Sequence, residues 1–236
     1  MKKTLVVGLA MGLLVTGGIA VAEAAPFTVN DIDGDWINPN PATITVQNDS
    51  DPDGRLSTAR WGTPSNSANK RSGYDFLSNA TPITVESDGS MFALGTFTHH
   101  NYAITGTTLE SIDLQFSLAF NEVVASVTAT FGIDHNETPN SGEDPRDIVT
   151  IENPIVNQLF TYEDKDYYFN LFGFSQDGGA TLSTVFYTNE GMSNRAILYG
   201  RITEAPVDPV PEPTTMLLFG AGLAGLAAVG RRQKAE

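Results

Sequence analysis

Between Ile112 and Phe131 the chain alternates. Ile112, Leu114, Phe116, Leu118 and Phe120 are separated by Asp113, Gln115, Ser117 and Ala119. Val123, Ala125, Val127, Ala129 and Phe131 follow, separated by Val124, Ser126, Thr128 and Thr130. Successive side chains of a strand point to opposite faces, so a period of two predicts two half-buried strands. Asn121-Glu122 lies between them and predicts a hairpin, with Phe120 opposite Val123, Phe116 opposite Val127 and Ile112 opposite Phe131. A slip of one residue turns one apolar set to water, so the facing of these residues is firmly specified. Asn-Glu lacks the glycine that a two-residue turn favours, which leaves a longer loop open.

Further short apolar or alternating runs predict strands at 43–47, 56–61, 83–87, 91–98, 148–151, 159–162, 167–174, 182–187 and 196–202. Turn-rich segments separate them, and helical periodicity is short and interrupted by Gly, Pro, Asn and Asp. About ten short strands without helical crossovers predict an all-β fold, an antiparallel, jelly-roll-like β-sandwich.

The two ends follow a different pattern. Lys2-Lys3 precedes an apolar run at 5–20, and Ala20-Val21-Ala22 and Ala22-Glu23-Ala24 are small-x-small cleavage sites. Residues 1–24 therefore read as a signal helix for the Sec translocon, removed after Ala22 or Ala24. Residues 25–204 form the domain. The linker at 205–213 carries Pro206, Pro209, Pro211 and Pro213, which make it extended and stiff. Residues 214–230 carry no charge and span roughly 26 Å as a helix, enough for a thin bilayer. The basic tail at 231–236 stays on the cytoplasmic side.

Charge narrows the partners. The formal net charge is -15. The two signals hold Lys2, Lys3, Arg231, Arg232 and Lys234 against Glu23 and Glu236. Their removal takes five positive and two negative charges and leaves the mature domain near -18. Such a surface repels phosphate backbones and argues against nucleic acid. There is no cysteine, hence no disulfide framework and no thiolate metal site.

Two resemblances follow from these residues. Pro211-Glu212-Pro213, the apolar span and Arg231-Arg232 resemble the PEP-CTERM tail that exosortase-type enzymes of Gram-negative bacteria recognise. In the middle, Arg60-Trp61-Gly62-Thr63-Pro64, the stretch from Phe97 through Thr98-His99-His100-Asn101 to Ile104, His135-Asn136-Glu137-Thr138-Pro139-Asn140 with 147–151, and 186–191 occur in order. They resemble the THxN family of PEP-CTERM proteins, related to choice-of-anchor K domains. The resemblance implies an exported domain destined for the cell surface or the extracellular matrix, associated with exopolysaccharide and biofilm, and supplies no reaction. Its signature falls on Thr98, His99, Asn101, Glu137, Thr138, Pro139 and Asn140.

Several residues are candidates for chemistry. His99, His100 and His135 are the only histidines. On a strand His99 and His100 point to opposite faces, but His99 can meet His135 and Glu137 across a sheet. The alternative is that His99 and Asn101 simply bond to neighbouring backbone. Asp49-Ser50-Asp51-Pro52-Asp53-Gly54 has calcium-loop spacing, with Asp49, Asp51 and Asp53 as ligands, although Arg60 stands where an EF-hand needs a glutamate. Asp31-Ile32-Asp33-Gly34-Asp35 reads as a second acidic turn. Either can equally be a solvated Asx turn. Glu137, Glu143, Asp144 and Asp147 crowd one loop, and paired carboxylates can hydrolyse glycosidic bonds. Trp36, Trp61, Tyr167, Tyr168 and Tyr187 are either a sugar platform or core. The first expectation is thus a non-enzymatic, structural, adhesive or glycan-binding surface module. The second is a secreted polysaccharide hydrolase using Glu137, Asp144 and Asp147.

Overall fold

The structure is a computed structural model that describes residues 26–65, 67–120, 126–139 and 144–206. The expected signal helix, most of the proline linker and the apolar span lie outside these residues, as do Asn121-Glu122, Asn140 and Glu143. Among the described residues every named element is a strand, fifteen in all.

The alternating run at 111–120 becomes β9 (Ser111–Phe120), with its five apolar side chains buried. Its neighbour β10 (Val127–Asn136) buries Val127, Ala129, Phe131 and Ile133. The two pair antiparallel, but Val127 faces Leu118, Ala129 faces Phe116 and Phe131 faces Leu114. The predicted register is therefore displaced by two residues. A displacement by two keeps every apolar side chain on its face, so burial permits it, and it lengthens the connection beyond two residues.

These strands belong to a six-stranded sheet in the order β14 (Val185–Thr188), β11 (Asp147–Ile151), β10, β9, β1 (Pro26–Asn40) and β6 (Ile83–Glu86). A seven-stranded sheet runs β12 (Gln158–Tyr162), β13 (Lys165–Ser175), β15 (Met192–Glu204), β7 (Asp88–Asn101), β5 (Ser72–Ser78), β3 (Leu56–Trp61) and β2 (Thr45–Gln47). Both sheets are antiparallel and curled, and β4 (Thr63–Pro64) pairs with β8 (Ile104–Thr105) beside them. The nine runs predicted outside the hairpin all contain strands, with β7 and β15 longer than expected.

The main correction is β1. The segment 31–35 is no turn but part of a fifteen-residue strand along β9. Ile32, Gly34 and Trp36 are buried, while Asp31, Asp33 and Asp35 occupy the alternate positions. The acidic residues are the outward half of a period-two pattern. Strands β5, β4 and β8 were likewise unpredicted, because polar and glycine positions interrupt their apolar runs.

One hydrophobic core joins the sheets. Phe76 of β5 meets Phe116 of β9 edge-on at 5.2 Å between ring centres. Trp36 of β1 donates its indole N–H to the Ser57 carbonyl at 3.1 Å and packs against Tyr74 and Phe97. Two glycines make room for Phe76. A Cβ on Gly34 or on Gly95 would overlap its ring from either side.

Candidate functional site

At one end of the core the inward rows change character. In β7 Phe97 is followed by His99 and Asn101, and in β10 Ile133 is followed by His135. In β11 Val149 is preceded by Asp147, and in β14 Phe186 gives way to Thr188. In β5 Phe76 is preceded by Tyr74. Each polar residue keeps the phase of its strand, so it faces inward although it is polar. His99, Asn101, Asp147 and Thr188 are fully buried, at 0% exposure. Trp61 of β3 lies along His99 at 5.9 Å and edge-on to His135 at 5.2 Å.

Hydrogen bonds fix the orientations. Thr188 Oγ1 donates to the Asp147 carbonyl at 3.3 Å, so its oxygen accepts from His99 Nδ1 at 2.8 Å. His99 thus carries its proton on Nδ1 and turns the lone pair of Nε2 inward. His135 Nδ1 lies 2.6 Å from the Tyr74 hydroxyl, and Nε2 lies 3.2 Å from Glu137 Oε2. Asp147 Oδ1 accepts from the Thr138 amide at 2.8 Å and its hydroxyl at 3.3 Å. Asn101 Nδ2 donates to the Thr188 carbonyl at 3.2 Å.

Seven buried side-chain atoms have no hydrogen-bond partner among the described residues, and five of them gather at this end: His99 Nε2, Asp147 Oδ2, Asn101 Oδ1, Glu190 Oε1 and Trp61 Nε1. The first four accept hydrogen bonds when the two carboxyls are ionised, Trp61 Nε1 donates, and folded proteins leave few such groups unmet. Donor atoms of His99, His135 and Asp147 lie within 4.8 Å of one another, and so do those of Glu137, Asp147 and Glu190. Asp147 is common to both trios. Glu137 and Glu190 are only partly buried and form the outer end.

The electrostatics match this crowding. Burial raises Asp147 to about 7, the charges of Glu137 and Glu190 add to it, and the Thr138 hydrogen bonds oppose it. Burial also raises Glu190, with Glu137 adding and Asn101 and the Gly191 amide opposing. Burial, with His135 and His100 nearby, keeps His99 neutral by holding its pKa well below the ordinary value. Burial and the charges of Asp147, Glu137 and Asp134 push the Tyr74 hydroxyl well above its usual range.

His100 points to the other face of the sheet, as a strand requires. Its Nδ1 bonds Ser193 Oγ and its Nε2 bonds Asp75, each within 2.8 Å, and Arg60 completes an ion pair to Asp75. Burial alone would raise the Asp75 carboxyl, but the His100 and Arg60 contacts outweigh it and hold it low. Beside this triad opens a pocket of about 430 Å³ lined by Arg60, Lys70, Arg71, His100, Tyr102 and Ser193. Lys70 sits 4.9 Å over the Tyr102 ring.

Other expectations fare differently. Asp49, Asp51 and Asp53 do not converge. Asp51 Oδ1 instead accepts the Arg55 and Leu56 amides at 2.6 and 2.7 Å, while Asp49 joins Asp33 and Asp35 within 4.8 Å. Asp144 is exposed and pairs with Arg146 at 2.8 Å, apart from the Glu137–Asp147 pair. Trp36, Trp61 and Tyr167 fill the core, whereas Tyr187 is exposed beneath Arg146. Of the resemblance residues, Thr98 is buried beside His99, Thr138 holds Asp147, Pro139 is exposed, and Asn140 lies outside the described residues. Asp147, Glu190, Thr188 and Tyr74 were not predicted to join His99, although the phase of Val149 and Ile151 places Asp147 inward.

These observations define an all-β protein. The PEP-CTERM protein-sorting motif matches residues 209–233, including Pro211, Glu212, Pro213, Arg231 and Arg232. It assigns the chain to export, recognition by an exosortase-type enzyme and anchoring at the cell envelope. No curated protein matches the chain.

Proposed function

We propose that the mature domain is a non-enzymatic module of the outer surface or extracellular matrix that holds acidic exopolysaccharide. The reading takes the two sheets as a jelly-roll-like sandwich and the middle of the chain as a THxN-type domain. The observation that carries it is the outer-face pocket. Five of the thirteen Lys and Arg residues belong to the terminal signals, and three of the remaining eight line this one pocket. On a molecule this acidic, that concentration is a local reversal of sign. Within a Debye length of about 10 Å, such a reversal outweighs more distant repulsion. Tyr102 adds an aromatic edge and Ser193 a hydroxyl, the mixture that binds uronate rings. The Asp75 network positions Arg60 and His100, while exposed Lys70 and Arg71 meet the ligand.

Binding to immobilised alginate and to neutral dextran tests this reading. Alginate is expected to be retained and dextran not. Replacing Lys70 and Arg71 together by Ala is expected to weaken alginate binding about tenfold, the effect of roughly 1.4 kcal/mol. Equal retention on both polymers, or no effect of the double replacement, would overturn it.

A further inference from the structure

We propose that a divalent transition cation of the zinc class binds between the sheets, on His99, His135 and Asp147, with Glu137 and Glu190 at its outer side. The three donors lie within 4.8 Å of one another. Donors on a tetrahedral zinc with bonds of about 2.0–2.2 Å stand roughly 3.5 Å apart, so the site needs a modest contraction. His99 already has the form of a metal ligand. Its Nδ1–H is held by Thr188, and its Nε2 lone pair meets no donor among the described residues. Asp147 is prepared in the same way, with Oδ1 held by Thr138 and Oδ2 unmet. Two buried acceptors this close together would both be satisfied by a cation between them.

The class of ion follows from the donors. Two imidazoles and a carboxylate suit zinc or a neighbouring transition ion, whereas calcium takes six to eight oxygens. The second trio shares Asp147 and continues to the partly buried Glu137 and Glu190, which lie on the outer side of the site. His135 Nε2 now shares its hydrogen bond with Glu137, so coordination through Nε2 breaks that bond and leaves the imidazole proton on Nδ1, facing the Tyr74 hydroxyl.

The test uses the full chain in detergent, stripped with chelator and titrated with zinc chloride. One equivalent is expected to bind, and at a hundredfold excess over Kd the melting temperature is expected to rise about 5–10 °C. Cobalt is expected to give the visible bands of tetrahedral coordination, and zinc to bleach them. His99→Gln is expected to abolish uptake, and His100→Gln, one residue away on the opposite face, to leave it intact. Melting in chelator shows whether each variant is folded. If His99→Gln does not fold, the cobalt spectrum of the unaltered chain decides. Absence of saturable uptake, calcium displacing zinc at equal concentration, or equal loss in both variants would each sink the assignment.

Discussion

His99 and His100 are adjacent and live in different solvents. One is sealed among Trp61, Tyr74 and His135, and the other faces the outer pocket with Asp75 and Ser193. Strand geometry alone separates them, and that separation was legible from alternation. The rest of the buried centre was not. Thr188 stands 89 residues from His99 and Tyr74 stands 61 from His135, and only the sheet order brings them together. The acidic strand residues carry their own consequence. Burial, with Asp35 and Asp49 beside it, raises Asp33 to about 6 from an unperturbed 3.8. The folded chain then holds this proton more tightly than the unfolded chain. The stability it contributes is full below about pH 3.8 and lost as pH rises through about 6. Asp33→Asn is therefore expected to melt above the parent at pH 8, with the gain gone by pH 4. A gain that grows toward low pH would contradict this sign.

At the level of elements, the hairpin and β1 show two ways in which pattern and structure part. The hairpin faces were readable because both strands alternate cleanly. Its register was not, since a shift of two leaves burial unchanged and only the turn distinguishes the two pairings. In β1 the alternation of Asp31, Asp33 and Asp35 with Ile32, Gly34 and Trp36 was present but resembled a calcium turn, because Gly34 occupies an inward position. That glycine is a packing device, leaving a space that the Phe76 ring fills. Gly34→Ala is expected to destabilise the domain by about 1–3 kcal/mol in urea unfolding, the usual cost of overpacking. Combining it with Phe76→Leu, which vacates the space, is expected to cost less than the two changes summed.

For the whole molecule, the folded part precedes a sorting motif at residues 209–233. Intact-mass measurement of the protein from its native host is expected to show loss of the first 22 or 24 residues and of everything after the Pro211–Pro213 region. Retention of 214–236 would instead mean simple membrane anchorage. The folded part divides its chemistry by face. A positive pocket lies outside one sheet, and an anionic, imidazole-containing chamber lies between the two. The chamber's residues were visible one by one, but their convergence depends on five strands arriving at the same end.

The segment that leads to the envelope leaves from β15, which is bonded along both sides, to β13 and to β7. Tension on that tether would run along an interior strand and shear two ladders together, whereas an edge strand would peel away one bond at a time. Forced unfolding is governed by the unfolding barrier. This connectivity sets two ladders against the load at once, a higher barrier than an edge strand would offer.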